Sequence, residues 1–170
     1  MNTSKLTTAA LLIALGTLSA HLLYIPAGIS KCFPVQHAIN VLAAVLLGPS
    51  YAVAIAFFIS LLRNMFGLGS LLAFPGSMIG ALCAGLLYKY FSTTLSAMIG
   101  EVIGTGILGS FAAFLIAQSI LGKETIAWFY IPPFLVSTIG GSIIAGLIIK
   151  SGALNSAFPK LFAKEKYNGR

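Results

Sequence analysis

Two clusters of polar side chains interrupt a chain otherwise suited to lipid. Gln36 and Asn40 stand four residues apart and His37 and Asn40 three, so one helix face carries two amides and an imidazole. Ser60, Arg63 and Asn64 repeat that spacing farther along, followed by the connection Gly67-Leu68-Gly69-Ser70. Such groups hold a small polar molecule by hydrogen bonds in a concave, mostly apolar site. The alternative use is structural: Arg63 snorkels to headgroups while the amides join helices. Six polar groups at one end of two neighbouring helices favour a site.

Other candidates are more scattered. Glu101 is an intramembrane carboxylate, placed to contact a ligand, carry a proton or anchor helix packing. Ser77 follows Phe74-Pro75-Gly76 at the opening of a helix, and Trp128 and Tyr130 precede Pro132-Pro133 at the opening of another. The two aromatics are either an interfacial belt or flat walls for a planar ring. No G-x-x-x-x-G-K-[ST], H-E-x-x-H or G-x-S-x-G motif occurs, so any ATP-driven activity needs a partner to bind ATP. Cys32 and Cys83 fit neither a disulfide framework nor a zinc site. No cofactor or metal is implied, and the chain does not read as an enzyme.

The elements that must position these groups are membrane helices. The 170 residues are 58% hydrophobic and 8% charged, with mean hydropathy +1.00. A soluble domain carries about 25% charged residues, so this composition excludes a cytosolic enzyme or a nucleic-acid-binding domain despite the net charge of +7. The acids are Glu101, Glu124 and Glu165. The expected fold is an all-α integral membrane protein, a six-helix transmembrane bundle with helices near 6–25, 36–48, 51–66, 72–90, 95–120 and 128–150. Gly48-Pro49-Ser50 breaks the second from the third. Both are short: 13 residues rise only about 20 Å, against a hydrocarbon core of about 30 Å. Either the pair re-enters, or the loop from Pro26 to Val35 dips over it and leaves a hollow at one face.

An even helix count puts both termini on one side. With the N-terminus inside, that side collects Lys5, Lys89, Lys150, Lys160, Lys164, Lys166 and Arg170, against Lys31, Arg63 and Lys123 outside. Seven against three sets the chain N-in and C-in, with the hollow facing outward. Lys5 followed by the apolar run Ala9 to Leu18 has the length of a signal peptide's apolar region. Leu18-Ser19-Ala20 is a poor cleavage site, and the segment reads as a span. Residues 1–150 form one transmembrane domain, and 151–170 a basic cytoplasmic tail, either solvated or laid on the anionic leaflet. Small residues pair at four-residue spacing in Ala10 and Ala14, Gly76 and Gly80, Gly100 and Gly104, and Gly141 and Ala145, which lets backbones touch.

Phe33-Pro34-Val35-Gln36-His37 with Asn40, Leu62-Arg63-Asn64 with Gly67 and Gly69, Leu72-Ala73-Phe74-Pro75-Gly76-Ser77-Met78, and Gly100-Glu101 with Gly104-Thr105-Gly106 resemble the ThiW family. These are thiazole-specific substrate-binding (S) components of energy-coupling factor (ECF) transporters, and the resemblance runs from about Lys5 to Ile149. It implies a six-helix bundle with an outward-facing site capped by the loop after the first helix. It also implies hydroxyethylthiazole, the thiazole half of thiamine, as ligand. The implied partners are a transmembrane coupling subunit and two ATP-binding subunits in the plasma membrane of a prokaryote. Docking through an Ala-x-x-x-Ala surface would fall on Ala10 and Ala14. The substrate-binding set expected from placement is Gln36, His37, Asn40, Arg63, Asn64, Ser77, Glu101, Trp128 and Tyr130. Alternatives are a small proton-coupled secondary transporter using Glu101 and a membrane scaffold that transports nothing.

Overall fold

Proline and glycine set the helix boundaries. Pro34 opens one helix and Pro49 the next, each in a first turn where the missing N–H costs no hydrogen bond. Gly48 between them sits at φ 88°, a conformation that L side chains rarely adopt. Thr93 caps a later helix by accepting from the Ser96 N–H at 3.2 Å.

The computed structural model describes residues 3–27, 30–124 and 126–158. Six principal helices follow one another: α1 (Thr3–Leu22), α2 (Pro34–Leu47), α3 (Pro49–Met65), α4 (Ala73–Phe91), α5 (Thr94–Ser119) and α6 (Ile131–Lys150). Two short antiparallel strands, β1 (Ile25–Ala27) and β2 (Ser30–Cys32), form a hairpin between α1 and α2, with Ile25 opposite Cys32. A short helix, α7 (Ala153–Ala157), follows α6. Its Leu154 is buried and Phe158 packs against the same cluster, so the chain after Lys150 first returns to the bundle. The tail residues Lys160, Lys164, Glu165, Lys166 and Arg170 lie outside the described residues.

α1, α5 and α6 are long and apolar enough to cross a membrane, while α2 and α3 are shorter apolar helices. α2 tolerates its length because it is the centre. It buries eleven of its fourteen residues and touches α1, α3, α4, α5 and α6. A helix apolar nearly all round belongs inside the protein. The hairpin leads through Phe33 directly into the first turn of α2. This is an integral membrane protein built as a six-helix bundle.

α4 and α5 meet along a seam of glycines. A Cβ at Gly104 would stand 2.8 Å from the Gly80 Cα, and one at Gly109 would stand 2.6 Å from the Gly76 Cα. Within that seam α5 loosens to a π-helical turn from Gly104 to Gly109. The pairs Gly76 and Gly80, Gly100 and Gly104, and Gly141 and Ala145 are all buried. Ala10 and Ala14 are exposed on α1.

Candidate functional site

α3 and α4 each bury one stripe at helical spacing. On α3 it runs Ala52, Ile55, Ala56, Ile59, Ser60 and Arg63, turning polar in the last turn beside the hairpin. On α4 it begins with Gly76 and Ser77 at that same end. α2 adds Gln36, His37 and Asn40 from its first turns. The stripes therefore bring polar side chains of three helices together beneath the hairpin.

There the helices enclose a cavity of about 430 Å³. That is within the range of about 300–1,000 Å³ of small-molecule sites. Of the expected residues, Gln36, His37, Arg63, Ser77 and Tyr130 line it. Arg63 donates to Gln36 Oε1 and to the Leu68 carbonyl at 3.3 Å. Gln36 Nε2 donates to Ser60 Oγ at 3.2 Å, and Ser60 Oγ lies 2.9 Å from Ser77 Oγ. The Phe33 ring covers the guanidinium, with its centroid 3.7 Å from Arg63 Cζ. Tyr130 is 6% exposed and packs with Leu72, Ala113 and Ala117.

Asn40 and Glu101 sit behind the lining, both fully buried. His37 Nδ1 lies 2.8 Å from Glu101 Oε1, which also accepts from Asn40 Nδ2 at 3.1 Å and Thr105 Oγ1 at 3.0 Å. Asn40 Nδ2 further donates to the Ser77 carbonyl at 3.2 Å. With Nδ1 engaged by Glu101, Nε2 is the ring nitrogen left for a molecule in the cavity. By residue count from the ends of α5, Glu101 stands apart from the outer cluster. It instead meets His37 and Asn40 directly, because the central helix is short and its polar turn lies deep.

Two expected residues are placed elsewhere. Asn64 faces away from the cavity and ties the connection to α4, donating to the Ser60 carbonyl at 2.8 Å and the Ser70 carbonyl at 3.2 Å. Trp128 is 75% exposed and outside the lining, whereas the next two residues, the half-exposed Phe129 and the buried Tyr130, line the cavity. Several lining residues were not expected from the sequence: Lys31 and Phe33 from the hairpin strap, Lys123 from the turn after α5, and Phe134 and Ser137 from α6. Lys31 and Lys123 had served only as topology charges. Phe33 stood in a quoted motif without a role. Ser137 accepts from the Phe33 N–H at 2.9 Å, and Cys32 Sγ lies 3.3 Å from the Pro133 carbonyl, so the strap is fastened to α6.

A lipid-embedded helical bundle ending in a strapped polar cavity has the architecture of a membrane transporter's solute-binding unit. The chain belongs to the ThiW family of thiamine-precursor transporter proteins, whose family model matches residues 6–154. Its fold is similar to that of the S component of a bacterial ECF transporter, with a TM-score of 0.72, over 90% of this chain and 97% of that one. Identity is 20%, so the likeness is one of fold. Comparison with curated proteins finds no match.

Proposed function

We propose that this protein is the substrate-binding subunit of an ATP-driven importer in a prokaryotic plasma membrane, capturing hydroxyethylthiazole from outside. The observation that carries the reading is the strapped cavity of about 430 Å³, lined by aromatic rings and by hydrogen-bonding groups from α2, α3 and α4. A thiazole offers a flat ring for Phe129, Tyr130 and Phe134. Its ring nitrogen and hydroxyl need partners, since burying either unpaired costs about 1–3 kcal/mol. Arg63, Gln36, His37 and Ser77 supply them. The orientation proposed is N-in and C-in, which sets the cavity outward.

Energy comes from partners, a transmembrane coupling subunit and two ATP-binding subunits. Their docking face is the exposed Ala10 and Ala14 surface of α1. The test pairs two measurements: calorimetric binding of hydroxyethylthiazole to the purified chain, and ATP-dependent uptake in vesicles with the coupling subunits. Ala10→Trp or Ala14→Trp should abolish uptake and leave binding intact. Uptake by the chain alone that collapses with the proton gradient would favour the Glu101-driven transporter. A purified, folded chain that binds no thiamine precursor would leave the scaffold reading. A periplasmic reporter fused after Arg170 should be silent; a strong signal would reverse the orientation.

A further inference from the structure

Binding of a neutral heterocycle uses Arg63 as a hydrogen-bond donor and leaves its charge without a counterpart. The residue is 3% exposed, yet the ion pair found among the described residues is His37 with Glu101, and Arg63 has no share in it. Its guanidinium has Gln36 Oε1, the Leu68 carbonyl and the face of Phe33, all neutral, and its buried Nε has no hydrogen-bond partner. Glu101 holds His37, Asn40 and Thr105 on Oε1, its Oε2 is buried without a partner, and the carboxyl forms no ion pair with Arg63. Lys31 and Lys123 add two exposed cations at the rim, from the strap and from the turn after α5, and the cavity lining includes no acidic residue among those described.

Buried charges are ordinarily paired, because desolvating an isolated one is unfavourable. Here the protein provides three cations around one cavity and no counter-charge within it. We infer that the ligand provides it. The cavity takes its heterocycle with an anionic oxygen group, a phosphate monoester or a carboxylate, seated on Arg63 and approached from the rim by Lys31 and Lys123. A planar guanidinium suits either group through parallel N–H···O bonds. His37 Nε2 and Ser77 remain for the ring end. The inference rests on the reading that this cavity is the thiazole site, and it puts an anionic derivative of that heterocycle in place of the neutral alcohol.

The experiment is a titration series on the purified full chain in nanodiscs. The probes are hydroxyethylthiazole, its phosphate ester, the matching thiazole carboxylate, and ethyl phosphate as an anion without a ring. At least one thiazole anion should bind about tenfold tighter than the alcohol, the scale of a charge-assisted bond. The preference should shrink as salt rises, because the rim lysines are screened. Arg63→Gln should lower the anion's affinity about tenfold more than the alcohol's. Lys123→Gln, at an exposed position, should reduce the same preference about threefold and serves if Arg63→Gln does not fold. An alcohol that binds as tightly as both anions overturns the inference and leaves the thiazole reading standing. Equal losses for alcohol and anion in Arg63→Gln also overturn it, and make Arg63 a latch for Phe33 and Gln36 alone. If ethyl phosphate binds in an Arg63-dependent way while no thiazole does, the anion site stands and the thiazole reading falls.

Discussion

The same helices build opposite materials at their two ends. Toward the end of Lys5, Lys89 and Lys150, α2, α3 and α4 meet through Ala43, Ala44, Ala52, Ile55, Ala56, Ala81 and Ala84. Under the strap, those three helices present Gln36, His37, Asn40, Ser60, Arg63 and Ser77. The buried stripe of α3 crosses from one regime to the other without changing its spacing. Removing a group means different things at the two ends. An alanine-rich contact loses packing and can settle. A hydrogen-bonded cluster strands the partners of whatever is removed.

The largest effect should follow Glu101→Leu, which leaves His37, the Asn40 amide and Thr105 without their shared acceptor. About 3–5 kcal/mol of stability should be lost, read as a fall in the unfolding midpoint in detergent, and Glu101→Gln should recover more than half of it. An unchanged midpoint for the leucine variant would erase the contrast between the ends. At the apolar end, Ile55→Ala should cost about 2 kcal/mol. That is the low end of the core range, because an unfolded helix in lipid still finds apolar surroundings and mainly the cavity is felt. Ligand affinity should not move; a tenfold loss of binding would show the ends to be one unit.

Within the polar end, Asn40→Ala should weaken ligand binding about tenfold with the protein folded, since it frees Glu101 and the Ser77 carbonyl together. Affinity unchanged in that variant would confine Asn40 to packing. Asn64→Ala acts through the Ser60 and Ser70 carbonyls and the connection into α4, and a threefold loss, roughly, is expected in the same titration. A drop as large as that of Asn40→Ala would make the connection part of the site. Trp128→Ala should sit at the bottom of the series, within about 0.5 kcal/mol of the parent in both stability and binding. A tenfold effect there would mean that the strap and the turn before α6 close farther over the ligand.

Much of this arrangement was legible in residue spacing. Apolar runs and the Gly48-Pro49 break put the six helices within a few residues of where they lie, because proline and charge are costly inside lipid-facing helices. Periodicity puts Gln36, His37 and Arg63 at one shared end, while Ser77 reads from the sequence only as a residue at the opening of a separate helix. The strap was read only as a dipping loop: three-residue strands leave no alternation to detect, and Pro26 interrupts the first. Glu101 could be given a depth by counting, but counting cannot tell which neighbours a turn faces, so its union with His37 was not visible. Thr105 carries no site signal in the sequence, because a helical threonine ordinarily bonds its own backbone. Trp128 and Tyr130 read alike in the sequence, because no signature there marks which of the two is exposed and which lines the cavity.

The π turn in α5 has a consequence for chain length. Such a turn is an α-helix holding one residue more than its pitch requires. In α5 that surplus lets Thr105 reach the Gly76 carbonyl on α4 at 3.1 Å while the next residue, Gly106, lies against Leu135 of α6. Both halves of the helix keep their inward faces, Glu101 below and Ala113 and Ala117 beyond. Deleting a single residue between 104 and 109 would therefore tighten the turn to ordinary pitch and leave both halves in register. The same deletion at 97 or 115 would rotate everything beyond it by about 100°, the angle of one residue on a helix of 3.6 per turn. This stretch is where the chain can lose a residue and still close its bundle, giving up only the double contact that the surplus makes.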